Sequence, residues 1–338
     1  MLTKLVIFKE KLKSIYAKGG AYIRYLLNFI LAFSSMYIVT RAIGNGKLIS
    51  SPVICVALAL ICAFLPINVT VVVATIYIII HLFSISIELA IIAVSVITVI
   101  YLLYFRFAPK TGFLIILTPI LFYIHIPYLV PVVAALTVGM TGIVPTVCGV
   151  FIYYLVNFAS QYGKTLGTFS ADNALQNINF IFNNILTNKE LVVVVVSFAV
   201  VITMIYLIKR LSVNFSWIIA IIAGCVTDAL IQIVAFSVLA VKFNVLTMVL
   251  GHLLAIVVGL VMTFFIFTVD YYATEYVQFE DDDYYYYVKA IPKLSVTSGE
   301  VKVKTINSID ETKGVMYTES PDNAEDDNDD EDNEEEKE

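Results

Sequence analysis

The chain has 338 residues, of which 60% are hydrophobic and only 14% charged, and its mean hydropathy is +0.89. A soluble domain is closer to half apolar and a quarter charged, so the composition excludes an ordinary soluble fold. The net charge of −6 has two opposed contributions, because Glu319–Glu338 holds 13 of the 27 acidic residues and one lysine. The rest of the chain is therefore basic, which indicates a membrane body followed by an acidic tail.

The first 24 residues form a basic segment with six lysine or arginine residues and one glutamate. Apolar residues recur at Leu5, Phe8, Leu12 and Ile15, which is close to a helical stripe. Residues 1–24 are therefore predicted to form a basic amphipathic helix on the inner membrane surface. The alternative is a polar leader that only sets the orientation. In both cases the basic residues place the N-terminus in the cytoplasm.

Long apolar runs fill residues 25–158 and 191–270 and predict transmembrane helices 1–7 and 8–10, respectively. Segments this apolar satisfy their backbone polar groups as helices rather than as barrel strands. The expected fold class is an all-α polytopic integral membrane protein with about ten helices, several of them short or broken. The polar connection over residues 159–190 is predicted to be an extracytoplasmic loop.

The number of spans depends on Thr118–Tyr154, an apolar stretch with four prolines, three glycines and no charged residue. Three crossings here place Lys209, Arg210 and the C-terminus in the cytoplasm, whereas two crossings place them outside. Basic residues next to spans favour the cytoplasmic side, so the sequence predicts ten spans over nine. The predicted hinges or broken helices are at Pro127, Pro131, Gly139, Gly142 and Pro145.

Ionisable residues within apolar spans are candidates for substrate or ion binding, because their insertion into lipid is costly. Asp228 and Gln232 are four residues apart and share a helix face. His252 lies in the last span, where a protonatable Asp–His pair across neighbouring helices would bind a cation or relay a proton. Glu88 is the fourth candidate. The alternatives are hydrogen bonds that hold the helices together, and an interfacial position for Glu88.

Motifs for other activities are missing from the sequence. There is no phosphate-binding glycine loop, no hydrolase nucleophile elbow and no pair of cysteines with metal-ligand spacing. The expectation is a protein that is not an enzyme and holds no cofactor or metal. An acidic tail without basic and aromatic patches also argues against nucleic acid as a partner.

The C-terminal region divides into two parts. Residues 271–306 are predicted to be a cytosolic β-prone segment, with strands at Tyr276–Phe279 and Tyr284–Ala290. Residues 307–338 are predicted to be a disordered acidic tail, since they have almost nothing to bury. The tyrosine run is a hypothetical partner-binding patch, made of Tyr284, Tyr285, Tyr286 and Tyr287.

Residues 268–296, which contain the acidic and polytyrosine run EDDDYYYY, carry a resemblance to a known group. They resemble an uncharacterised family of multi-pass membrane proteins from Gram-positive anaerobic bacteria, in which a similar segment follows the final helix. The resemblance implies a bacterial plasma membrane. It implies no activity.

Two functions are consistent with the sequence. The broken helices together with Asp228 and His252 favour a transporter or permease-like protein of the cell membrane, for a small solute or ion. The alternative is a non-catalytic scaffold or regulator of the cell envelope, which recruits a partner through its cytosolic tail. The expected partners are the lipid bilayer and a cytosolic or membrane protein.

Overall fold

A computed structural model describes residues 2–44, 51–165, 180–182, 184–185, 187–241, 243–266 and 275–290. Helices account for most of them. They are α1 (Leu2–Ile43), α2 (Pro52–Phe64), α3 (Ile67–Phe83), α4 (Ile87–Phe107), α5 (Gly112–Tyr123), α6 (Leu129–Thr137), a 3-10 helix (Gly139–Gly142), α7 (Ile143–Thr165), α8 (Lys189–Ile208), α9 (Ser216–Val238) and α10 (Val245–Ile266). Two strands follow, β1 (Glu275–Glu280) and β2 (Tyr285–Ala290).

Six of the described helical segments are long and apolar enough to cross a membrane. They are Ser14–Ile43 of α1, α4, the stretch Gly139–Lys164, α8, α9 and α10. The chain is therefore compatible with a multi-pass membrane protein, as predicted. Helices α2, α3 and α5 are apolar but shorter than the roughly 20 residues that a straight span needs. The count of ten spans stays a prediction.

The predicted amphipathic segment and the first span form one helix with a bend. Gly19 departs from helical geometry, with φ −123° and ψ 20°, and interrupts α1 between its basic part and its apolar part. The basic part contacts the C-terminal end of α10, because the Lys9 Nζ donates a hydrogen bond to the Phe264 carbonyl at 2.9 Å.

Buried apolar side chains form two clusters. The N-terminal cluster is built mainly from α1–α4, and the C-terminal cluster from α6 and α8–α10. Helices α5 and α7 contribute to both, because they present Ile120 and Ile152 to the first cluster and Leu121 and Tyr154 to the second. The central Pro/Gly stretch thus supplies the helices that connect the two clusters.

The five predicted hinge positions of this stretch lie between α-helices or in their first turns, whereas Pro119 and Gly149 lie inside α5 and α7. Pro127 belongs to the turn before α6, while Pro131 and Pro145 are each the third residue of a helix, where the missing N–H costs no hydrogen bond. Gly139 has φ 80° and begins the 3-10 helix that ends at Gly142. The hinge role of these residues stays a prediction, since the structure describes one arrangement.

The tyrosine-rich segment forms an antiparallel hairpin in which Glu280 pairs with Tyr285. The strands lie close to the predicted ranges, and the side chains of all four tyrosines are exposed. The Phe279 and Tyr286 rings stack across the strands with their centroids 5.0 Å apart. The side of the membrane on which the hairpin lies stays a prediction. The rest of the predicted β-prone segment, residues 291–306, and the acidic tail lie outside the described residues.

The predicted loop at 159–190 is partly helical. Helix α7 continues to Thr165, seven residues past the predicted end of its span, and α8 begins at Lys189. Asn188 caps α8 by accepting hydrogen bonds from the backbone N–H groups of Glu190 and Leu191. This cap sets the position of Glu190 at the start of the helix.

Candidate functional site

Asp228 and His252 form a buried pair between neighbouring helices of the C-terminal cluster. Asp228 lies in the middle of α9 and His252 in the second turn of α10. The His252 Nε2 and the Asp228 Oδ2 are 3.1 Å apart, and the two residues are 6% and 1% exposed. The structure therefore joins two of the predicted candidates in direct contact.

The second nitrogen of His252 determines how protons are arranged in this pair. Its Nδ1 lies 2.8 Å from the Met248 carbonyl oxygen, which can only accept, so Nδ1 carries a hydrogen. The bond between Nε2 and Oδ2 then requires one proton, carried either by the imidazole or by the carboxyl group. In both arrangements the pair as a whole is electrically neutral.

Gln232 extends this arrangement to a third helix. Its side-chain Nε2 donates a hydrogen bond to the Asp228 Oδ1 at 3.0 Å, as the spacing of four residues predicts. The same nitrogen lies 3.4 Å from the hydroxyl oxygen of Ser197 on α8. Both Gln232 and Ser197 are fully buried. We call Asp228, Gln232, His252 and Ser197 the polar cluster.

Tyr128 packs on the His252 side chain of the polar cluster. Its ring stacks on the His252 ring with the centroids 4.0 Å apart and an angle of 22° between the planes. The stacking requires a glycine at position 251, because a Cβ there would lie 2.5 Å from the Tyr128 ring. Residue 251 thus sets how closely the turn before α6 approaches α10.

A cavity of about 320 Å³ adjoins the polar cluster. Gln232, Tyr128 and Met248, which all contact Asp228 or His252, also line this cavity. Neither Asp228 nor His252 is among the lining residues, so the pair reaches the cavity only through these neighbours. Glu190 lines the cavity and is exposed, so the cavity extends to the protein surface at the start of α8.

Two helices end beside this cavity in the same unusual geometry. His125 after α5 has φ 67°, and Ala240 after α9 has φ 53°. Each belongs to a Schellman motif. The N–H of Ile126 donates to the Leu121 carbonyl, and the N–H of Val241 donates to the Phe236 carbonyl. Glycine is usual at such positions, and non-glycine residues there concentrate at functional sites.

The structure does not bring the remaining predicted residues to the polar cluster. Glu88 lies in the first turn of α4, in the region of the N-terminal cluster, and accepts a hydrogen bond from the Ser86 hydroxyl. Of the predicted hinge positions, Pro127 lines the cavity. The four tyrosines belong to the hairpin.

Sequence reasoning missed Tyr128, Ser197 and Glu190. Tyr128 and Ser197 carry no charge and sit in apolar surroundings, so only the packing reveals them. Glu190 had a signal, because an asparagine two residues before it is typical of a helix start. Use of this signal would have placed Glu190 in the first turn of a helix and not in the predicted loop.

Comparisons with protein-family models, with curated proteins and with solved structures find no match to this chain.

Proposed function

We propose that the protein is a permease-like membrane protein that couples the movement of a small solute or ion to a proton. The observation that carries this proposal is the 3.1 Å contact between the buried side chains of Asp228 and His252, whose neighbours line a surface-connected cavity. Buried ionisable groups within membrane spans commonly serve as proton relays and as ion-binding groups.

Loss of that proton changes the energetics of the polar cluster. Without it the Nε2 lone pair faces a carboxylate, so the bond between the two side chains is lost. The cluster then carries one buried negative charge, which is expensive unless a cation enters. A cation in the cavity would offset this charge, and protonation would favour its release. Asp228 and His252 can therefore exchange a proton for a cation.

A ten-span topology with both termini in the cytoplasm supports this function. One hydrogen bond agrees with antiparallel α3 and α4, as this topology requires: Asn68 at the start of α3 accepts from Tyr104 at the end of α4. Lys9 near the N-terminus likewise contacts Phe264 near the end of α10, which agrees with termini on one side. On this topology the cavity opens to the outside of a bacterial cell.

Reconstituted vesicles provide the test. The purified protein is inserted into vesicles that contain a pH-sensitive dye, and chloride salts of sodium, potassium, calcium, guanidinium and methylated ammonium ions are added outside. We expect at least one salt to change the luminal pH with the wild-type protein. The substitution Asp228→Asn should abolish the response, while Glu88→Gln should leave it intact.

The assay also has clear negative outcomes. A protein that is folded in the vesicles and responds to no salt in the panel would contradict proton-coupled transport. A full response with Asp228→Asn would remove Asp228 from the mechanism, and would leave the pair as a purely structural link between α9 and α10.

The hairpin supports a second candidate, a membrane scaffold. Its tyrosines are exposed, with Tyr287 78% accessible, and they present an aromatic surface that a partner could cover. Deletion of residues 274–338 should then remove a protein that cross-links to the full-length chain in its native membrane. An unchanged cross-linking pattern after the deletion would count against the scaffold.

A further inference from the structure

We propose that the cavity beside the polar cluster binds a small alkylated ammonium ion. The proposal deepens the proposed function by naming a substrate class, and it rests on that function only for the idea that the ligand is transported. Binding itself can be measured without transport. The argument comes from the aromatic walls of the cavity, its charge and its size.

One wall is an aromatic corner. Tyr153 and Tyr154 on α7 have ring centroids 5.3 Å apart and planes at 80°, so their faces point in different directions. The Phe122 ring lies against both, with centroids 4.6 Å and 6.3 Å away. Ring faces carry negative electrostatic potential and attract cations placed over them. A corner of this kind suits a rounded cation better than a flat one.

Further aromatic side chains line the cavity. Phe198, Phe236, Phe243 and Tyr128 are among them, so seven of the fifteen lining side chains are aromatic. Phe236 and Phe243 contact each other with centroids 5.5 Å apart. Hard cations such as calcium take six to eight oxygen ligands, which aromatic walls cannot supply. The lining therefore favours an organic cation with an apolar surface over an inorganic ion.

The charge of the cavity agrees with a cationic ligand. Among the lining residues that the structure describes, Glu190 carries the formal charge, and there is no lysine or arginine. Glu190 stands at the surface end of the cavity, whereas Gln232 joins the inner end to Asp228. The lining thus offers a cation one carboxylate and seven aromatic rings, with no opposing positive charge among the described lining residues.

The volume also limits the ligand. About 320 Å³ is near the lower end of the range for small-molecule pockets, roughly 300–1,000 Å³. An ammonium group with a few methyl or ethyl substituents fits this space, while a large lipophilic drug does not. We therefore infer a ligand of the size of choline.

Calorimetric titration of the purified full-length protein with choline tests the inference. The matched ligand is 3,3-dimethylbutan-1-ol, which has the same shape but no charge. We expect choline to bind at least about tenfold more tightly than the neutral alcohol, since cation–π attraction is strongest in desolvated sites. Equal affinities, or no binding of choline, would overturn the proposal.

Two glutamates provide a matched pair of variants. Glu190 is the second residue of α8 and Glu88 the second residue of α4, so they have the same position relative to their helix dipoles. Glu190→Gln should weaken choline binding about tenfold, and Glu88→Gln should not change it. Equal losses in both variants would mean that the effect is not local to the cavity. Tyr153→Leu should also weaken choline, but not the neutral alcohol.

The outcomes separate this inference from the proposed function. Choline binding without any proton-coupled flux would uphold the ligand class and contradict transport. Proton-coupled flux driven by another salt, in a protein that does not bind choline, would uphold transport and contradict the ligand class.

Discussion

The two apolar clusters each bury a histidine, but the hydrogen bonding of the two imidazole rings differs. In the C-terminal cluster His252 is bonded at both nitrogens, to Asp228 and to the Met248 carbonyl. In the N-terminal cluster His81 is fully buried, and neither ring nitrogen has a hydrogen-bond partner among the described residues. Its ring only meets the edge of Tyr77, with centroids 4.6 Å apart.

On the proposed function, burial of a titratable residue is not sufficient to mark a functional site. A neutral imidazole in an apolar bundle has no group with which to exchange a proton. An imidazole that contacts a carboxyl group, with neighbours that line a cavity, has a partner for proton exchange and a route to the surface. The C-terminal cluster is therefore the region in which we expect chemistry, and the N-terminal cluster the region in which we expect packing.

The largest effect is expected from removing His252. The substitution His252→Gln should abolish the proton-coupled response in vesicles, because glutamine cannot carry the shared proton to and from Asp228. His81→Gln should leave the response unchanged, since the His81 ring nitrogens bond to no acidic side chain among the described residues. Vesicle assays on the two variants, at equal protein content, measure the contrast. An equal loss of the proton-coupled response in both variants would contradict a functional difference between the two clusters.

The second effect concerns the close approach of Tyr128 and α10. Gly251→Ala places a Cβ 2.5 Å from the Tyr128 ring and forces the ring away from His252. We expect a destabilisation of about 1–3 kcal/mol from overpacking. Choline affinity should fall as well, because Tyr128 lines the cavity. Unfolding in detergent mixtures and calorimetry measure the two effects.

Gly19→Ala is the control for this variant. Nothing lies within 4 Å of a Cβ at Gly19, so the substitution should not destabilise the protein. A Gly251→Ala variant that is as stable as Gly19→Ala and binds choline normally would show that the stacking of Tyr128 on His252 is not tight.

Much of the membrane body follows from the sequence, but the cavity does not. Apolar runs predict the long helices, and the spacing of Asp228 and Gln232 predicts their hydrogen bond. The contact between Asp228 and His252 could be suspected because buried ionisable groups seek partners. The cavity depends on Tyr128, which lies in the turn before α6, and on Glu190, which lies at the start of α8. Apolar composition specifies neither this turn nor this helix start.

The third effect is a gain in stability at His81. A buried polar group without a partner costs about 1–3 kcal/mol, and leucine removes this cost while filling a similar space. His81→Leu should therefore raise the free energy of unfolding by about this amount. The proton-coupled response should stay at the wild-type level. A loss of stability would indicate that His81 has a partner, such as a bound water molecule.

The smallest effect is expected at a hydroxyl group of the N-terminal cluster. The Tyr77 hydroxyl lies 2.6 Å from the Thr40 hydroxyl and 3.2 Å from the Cys55 sulfur, and together they connect α1, α2 and α3. Tyr77→Phe removes these bonds and should lower the free energy of unfolding by about 0.5–1.5 kcal/mol. Tyr37→Phe is the control, because the Tyr37 hydroxyl accepts only an exposed bond from Arg41 and should cost less. If Tyr77→Phe instead impaired proton coupling or choline binding, the N-terminal cluster would have to contribute to function, and the assignment of chemistry to one cluster would fail.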